Sequence, residues 1–241
     1  MNRYQFEVLT YIEKNGKKEY PMRTLSDTLK ISGTAISKAL DELENEALIK
    51  RCEDQMEITE RGLEALEPYR VKRAVIMAAG FGSRMVPVTL DRPKPMVAVN
   101  GVRIIDTLLD ALVSVGIKDI TLVRGYKKEK FDEILEKYPF INLIDNDIYD
   151  KTNNIFSLSL AKEQMIEDDT LLLESDLIFE ERLIDMLLED KRDSLALVDK
   201  FESWMDGTCI VVDQDDNITD FIPGKLLQYR EKEQYYKTVN I

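Results

Sequence analysis

The 241-residue chain has no histidine, two cysteines and one tryptophan, and its 33 Lys and Arg are outnumbered by 46 Asp and Glu. Without imidazole there is no Ser-His-Asp or Cys-His nucleophilic catalysis, no imidazole proton shuttle and no zinc site with a His ligand. Chemistry must then rest on carboxylates, Lys, Arg, hydroxyls, backbone amides or a metal held by oxygen. Cys52 and Cys209 show no metal-ligand spacing. With no signal-peptide pattern at the start, both are expected as free thiols in a reducing cytoplasm. Long apolar runs are also missing. Leu195–Val198 and Cys209–Val212 are a handful of residues long, far short of the roughly 20 that cross a bilayer. A net charge of −13 disfavours polyanions except where a basic patch or a divalent cation intervenes.

Two segments with different patterning are present, divided near Pro68–Arg70. In the first, Phe6, Leu9 and Ile12 line one helical face, and Met22–Leu29 reads as a second short helix. Ile31-Ser32-Gly33 then turns into a third helix over Thr34–Leu43. Short helix, glycine turn, helix is helix-turn-helix grammar. Leu48–Arg51 and Met56–Thr59 follow as two strands of a small wing, and a helix restarts at Thr59. Residues 1–69 resemble the winged helix of bacterial regulators. DNA binding is the less favoured use of such a head. Its 11 Lys and Arg face 14 Asp and Glu over residues 1–70, and the helix in the recognition position carries Asp41, Glu42, Glu44 and Glu46, whereas a DNA reader presents clustered cations to phosphates. Docking, dimerisation or sensing is expected instead, and a homodimer is compatible with this organisation.

From Lys72 onward, short apolar runs (74–77, 120–123, 170–173, 194–198) alternate with amphipathic stretches. This is the pattern of βαβ units and predicts an α/β fold with a mixed, mostly parallel, Rossmann-like sheet over residues 70–241. Directly after the first of these strands comes a glycine loop. Gly80 and Gly82 let the backbone turn tightly and leave amides free for phosphate oxygens, while Arg84 adds a fork of donors. Ten residues later Lys94 stands between Pro93 and Pro95, whose fixed φ angles stiffen the loop and hold a cation over the same phosphates. The third glycine of a dinucleotide fingerprint is absent, since Met85 takes its place, and no Walker lysine follows a glycine.

The whole string, GxGxRxxPxTxxxPKPM, is matched at every fixed position by Gly80–Met96. It resembles the signature of nucleotidyltransferases that activate sugars and alcohols with nucleoside triphosphates. The resemblance implies that Gly80, Phe81, Gly82, Ser83 and Arg84 wrap the triphosphate, with Arg84 facing the departing pyrophosphate. Lys94 then stabilises charge on the α-phosphate, and the backbone of Ala78 and Ala79 contacts the nucleobase. Two acids end the strand over 170–173, Glu174 and Asp176, at a position where open α/β sheets bind ligands. By the resemblance Asp176 holds Mg²⁺, an ion suited to carboxylate and phosphate oxygens.

Asp150–Leu158, with its paired Asn153 and Asn154, and Val123–Glu129, with Gly125 and Tyr126 near the nucleoside, resemble bacterial phosphocholine cytidylyltransferases. That subfamily implies transfer of CMP from CTP to phosphocholine, with Asn153 and Asn154 on the acceptor side. Equivalent chemistry on 2-aminoethylphosphonate or on a sugar phosphate is the alternative, and a nucleotide-sensing DNA-binding regulator is an alternative of another class. The one tryptophan, Trp204, lies beside Glu202 and Asp206, and an indole face attracts a quaternary ammonium. Trp204 and Glu202 are therefore the candidate choline contacts. Family members carry a second metal-binding acid late in the domain, so residues 70–241 are expected to be a domain cut short at its C-terminal end, with a further domain following in the full polypeptide. Replacing Trp204 with alanine is predicted to raise KM for phosphocholine about tenfold or more while KM for CTP stays within twofold, from a cation–π contact worth about 2 kcal/mol when desolvated; steady-state kinetics with each substrate varied in turn check this.

Overall fold

The computed structural model describes residues 1–52, 55–178, 181–190, 192, 194–200, 208–222 and 235–238. It divides into two units, Met1–Arg70 and Val71–Ile241. In the first, α1 (Arg3–Asn15) is opened by a capping box, in which the Asn2 side chain accepts from the Gln5 amide at 3.0 Å while Gln5 Oε1 accepts from the Asn2 amide at 2.7 Å. Two otherwise orphaned donors are satisfied this way. After β1 (Lys18–Glu19) come α2 (Met22–Leu29) and α3 (Gly33–Asn45), with Ser32 capping α3. The strands β2 (Ile49–Cys52) and β3 (Gln55–Ile58) pair antiparallel, and β1 adds to the far side of β3 as a strand the periodicity did not announce. Leu9, Ile12, Leu25, Ile36 and Leu43 are fully buried in the core, whereas Phe6 is only partly buried and packs on Tyr69. Thr59 caps α4 (Glu60–Leu66) by accepting from the Gly62 amide at 3.0 Å.

The second unit opens with β4 (Arg73–Ala78), a hairpin of β5 (Ala98–Val99) and β6 (Val102–Arg103), α5 (Ile104–Ser114) and β7 (Asp119–Arg124). A 3-10 segment over Lys128–Glu136 leads to β8 (Asn142–Asp145), α6 (Asn154–Leu160), α7 (Lys162–Ile166), β9 (Thr170–Glu174) and α8 (Glu181–Glu189). The strands β8, β7, β4 and β9 form, in that order, a fully parallel sheet. Both faces of β4 are covered, which is why Arg73–Ala78 is almost continuously apolar rather than alternating. Ala74, Ile76 and Ala78 face Leu108, Leu109 and Leu112 of α5, while Val75 and Met77 join Val123 and Ala161 on the opposite side. The chain is thus a mixed α/β protein with a parallel sheet.

Its later strands depart from the parallel pattern. β10 (Val198–Lys200), β11 (Cys209–Val212), β12 (Ile218–Ile222) and β13 (Tyr235–Thr238) form a second sheet of antiparallel pairs in the order β10-β13-β11-β12. For the β11–β12 pair the reason is local. Asp213 accepts from the amides of Asp215 and Asn217 at 2.9 and 2.8 Å and closes a turn too short for the crossover that a parallel pair requires. The apolar run over 194–198 contributes only Val198 to a ladder. Among the described residues no helix is long and apolar enough to cross a membrane.

Gly62 has a packing reason for lacking a side chain. A Cβ there would lie 2.1 Å from the Leu48 carbonyl oxygen, the same oxygen that accepts from the Thr59 amide at 3.0 Å. Gly62→Ala is expected to destabilise residues 1–70 by about 2–3 kcal/mol, the upper range for overpacking, read as faster amide hydrogen exchange in α1 and α3.

Candidate functional site

Three strand ends meet on one edge of the parallel sheet. From β4 the chain passes through buried Ala79 into the glycine loop and returns at Pro93. Gly82 sits in the left-handed region at φ 63°, ψ 32°, and a Cβ there would come within 3.0 Å of Lys94 Cβ and 3.1 Å of Thr89 Cγ2. Glycine is needed twice over, for the backbone angle and for the close return of the loop. Thr89, almost fully buried, donates its hydroxyl to the Gly82 carbonyl oxygen at 3.0 Å. Pro95 and Met96 are buried, and the Met96 amide donates to the Pro93 carbonyl at 3.0 Å. Lys94 is in this way carried on an anchored turn beside Gly82. Gly80 differs: a Cβ there meets nothing within 4 Å, so the fold itself does not require glycine at that position. Ser83 and Arg84 are exposed, and among the described residues the Arg84 guanidinium has no ion-pair partner.

The end of β9 lies beside β4, with Met77 in register with Glu174 and the Ser175 amide donating to the Met77 carbonyl at 3.2 Å. Two residues past Glu174, Asp176 Oδ2 receives the Lys94 ammonium in an ion pair, both side chains about one-third exposed. Glu174 Oε1 accepts from Asn154 Nδ2 at 3.3 Å. Asn153, taken with Asn154 as an acceptor-side pair, spends its side-chain oxygen on capping α6, accepting from the Phe156 amide at 3.2 Å. The two asparagines therefore stand differently, one holding the helix start and the other reaching the acidic pair.

At the end of β7, Gly125 admits close packing. A Cβ there would lie 2.7 Å from Tyr149 Cβ and 2.8 Å from the Ala79 carbonyl oxygen. The Tyr126 amide donates to that oxygen at 3.2 Å, and its hydroxyl donates to the Thr89 carbonyl at 2.9 Å. Arg124 next to it is spoken for, donating to Asp145 at 2.6 Å and to the Lys128 carbonyl at 3.0 Å, with Asp132 as a further partner. Asn146 and Tyr149 escape a reading of motifs. Asn146 is buried, donates through Nδ2 to Ser157 at 2.9 Å and Thr152 at 3.2 Å, and accepts from the Ile148 amide at 3.1 Å. Its only sequence signal is an Asn directly after a strand, in a position suited to an Asx turn. Ala78–Arg84, Lys94, Gly125, Tyr126, Asn153, Asn154 and Asp176 thus gather at one end of the sheet. Glu202 and Trp204 lie outside the described residues.

This arrangement can do one thing well: hold an anion between free loop amides, an unpaired guanidinium and a lysine, with carboxylates within reach of a cation. The family model described as nucleotidyl transferase matches residues 73–221, more than half of the chain. The chain is 41% identical over 111 residues to a 2-aminoethylphosphonate cytidylyltransferase of Lancefieldella rimae, covering 46% of this chain and 45% of that protein. Over 136 residues it is 36% identical to a CTP:phosphoglutamine cytidylyltransferase of Campylobacter jejuni, covering 54% and 53%. It spans about half the length of these curated relatives. Among solved structures, the CTP:phosphocholine cytidylyltransferase from Streptococcus pneumoniae superposes with a TM-score of 0.56 at 29% identity, covering 71% of this chain and 68% of that one.

Burial, joined by the negative charge of Asp176, holds the Glu174 carboxyl above its ordinary value, and the Lys94 ammonium opposes this only in part. A carboxyl with a raised folded pKa binds its proton more tightly folded than unfolded, so ionising it costs stability as pH rises through 4.5 and beyond. Glu174→Gln is expected to raise Tm in the absence of divalent cations by about 2 °C near neutral pH. The gain disappears below about pH 4, where the wild-type group is also neutral; thermal unfolding across a pH series reads both limits.

Proposed function

Because the chain belongs to the nucleotidyl transferase family, we propose that it transfers CMP from CTP to a small phosphate or phosphonate bearing a cationic nitrogen, releasing pyrophosphate. The observation that carries this reading is the return of the loop at Gly82, which sets Lys94 beside the free amides of the glycine turn and opposite Asp176. CTP and the acceptor class are drawn from the names of its relatives, one acting on a phosphonate, one on phosphoglutamine and one on phosphocholine. Phosphocholine, favoured by the double-asparagine stretch and Trp204, stands beside 2-aminoethylphosphonate as the candidate acceptor.

In this reading the amides of Gly80–Arg84 and the Arg84 guanidinium cradle the β- and γ-phosphates, and Ala78, Ala79, Gly125 and Tyr126 border the nucleoside. Asn154, with Asn153 behind it at the helix start, lies on the acceptor side. An anionic oxygen of the acceptor attacks the α-phosphorus in line. The new P–O bond forms as the bond to the bridging oxygen breaks, and its electron pair leaves with pyrophosphate. The attacking oxygen carries no proton to remove, so no general base is needed. Lys94 exchanges Asp176 for the α-phosphate and neutralises charge there as it develops, an electrostatic contribution that is usually the largest in such sites.

Asp176, with Glu174 electrostatically coupled to it, is a donor set that fits Mg²⁺. Mg²⁺ takes its remaining ligands from substrate phosphates and water. When bound, Mg²⁺ supplies charge neutralisation on the triphosphate. For residues 1–69 we propose a winged helix-turn-helix used for docking. The wing arginine Arg51 is held by Asp41 at 3.1 Å and Glu44 at 3.0 Å, so it is not free for DNA phosphates.

The chain incubated with CTP, Mg²⁺ and either 2-aminoethylphosphonate, phosphocholine or a sugar 1-phosphate is expected to release pyrophosphate with one of the first two. Lys94→Ala is expected to lower kcat by about 10²–10³. Tight CTP binding without turnover of any acceptor would overturn the enzyme reading in favour of a nucleotide sensor.

A further inference from the structure

Between Gly80 and Arg84 only one side chain touches the body of the protein through its ring. Gly80 and Gly82 have none to offer, Ser83 and Arg84 are exposed, and Phe81, though 46% exposed, packs against two tyrosines. Its ring centre lies 5.3 Å from that of Tyr126 and 5.1 Å from that of Tyr149, the latter edge-on at 62°. Tyr126 and Tyr149 complete the triangle at 6.3 Å. The three rings pack on one another, and Lys127 Nζ stands 5.5 Å from the Tyr126 ring centre. The cluster is a wedge made by three loops, one from each of β4, β7 and β8.

We propose that Tyr149 is a positioning residue for the phosphate loop, holding Phe81, and through it the Gly80–Gly82 amides, in place before nucleotide arrives. Tyr149 is itself seated from two sides. The missing Cβ of Gly125 is what lets its Cβ and Cγ approach the β7 end, and the loop that carries it is pinned by buried Asn146, whose amide donates to the Arg124 carbonyl at 2.8 Å. Tyr126 ties the same wedge to the two arms of the loop, by its amide at Ala79 and its hydroxyl at Thr89. For Tyr149 no side-chain hydrogen bond runs to another described residue, so its ring is the part that acts. Amides fixed before binding need no ordering when phosphate arrives, which favours affinity without touching the reacting atoms.

The kinetic half of this inference rests on the cytidylyltransferase reading, and the exchange half does not. Tyr149→Ala and Tyr149→Phe are compared with the wild type by amide hydrogen exchange of the nucleotide-free chain, by CTP–Mg²⁺ affinity, and by KM for CTP and for acceptor. In the alanine variant, exchange of the Met85 and Val86 amides, which donate to the Gly82 and Ser83 carbonyls, is expected to quicken at least tenfold and Kd and KM for CTP to rise about tenfold. KM for acceptor stays within twofold, and the phenylalanine variant behaves as wild type. If β4 and β7 amides also quicken in the alanine variant, Tyr149→Leu, which keeps apolar bulk without the ring, repeats the comparison over a sound sheet. Unchanged exchange and CTP affinity, a phenylalanine variant as impaired as alanine, or an equal rise in both KM values overturns the proposal. Should no acceptor turn over, loop exchange and CTP affinity still decide it.

Discussion

The close return of the loop onto Gly82 is the constraint on which the site depends. At a left-handed backbone position with Thr89 and Lys94 packed against it, the loop has one way to close. That closure places a lysine from the far arm next to amides from the near arm. Everything else around the strand ends supports it. The Thr89 hydroxyl binds the Gly82 carbonyl, the Tyr126 hydroxyl binds the Thr89 carbonyl, and buried Pro95 and Met96 root the lysine turn in the core. A side chain at Gly82 would disturb backbone angle and packing together, so the conformational freedom of one residue and the placement of a charge twelve positions on are a single physical fact.

Electrostatics explains how so acidic a chain keeps cations unspent beside its glycine turn. The net charge of −13 divides into −3 over residues 1–70 and −10 over the remainder. Cations near the strand ends are sorted by local pairing. Arg124 and Lys128 are consumed by Asp145, Asp132 and Asp147 and stiffen the β7–β8 side. Arg84 is left without a partner among the described residues, and Lys94 has only an exchangeable one in Asp176. Bulk charge is thus a poor guide to local potential, because fixed pairs cancel within a few ångströms while an unpaired guanidinium on an exposed turn does not.

Much of this was legible from the residues in order. The glycine loop, the lysine between prolines, the apolar strand before them and the acids after β9 are local patterns, and a local pattern survives folding because its spacing is covalent. Gly125 and Asn153 show where such reading stops. Both stand in stretches read for chemistry, and what that reading does not show is that a side chain at Gly125 would crowd Tyr149 and the Ala79 carbonyl and that Asn153 caps a helix. The antiparallel C-terminal sheet was hidden for a related reason: an apolar run announces a strand, whereas its direction is set by the turn at Asp213 and by partners distant in sequence.

By itself, then, the amino-acid order determined that these residues offer no imidazole, that a glycine turn with Arg84 follows the first strand of a parallel sheet and a lysine between prolines comes after it, and that carboxylates end a neighbouring strand. Only the tertiary structure decided that Lys94 meets Asp176 across 82 positions, that Asn154 rather than Asn153 reaches Glu174, and that Phe81, Tyr126 and Tyr149 close into one wedge. These contacts join residues from different crossovers, and the register between parallel strands, which sets which side chains share an edge, comes from packing helices on both faces of the sheet rather than from any spacing along the chain.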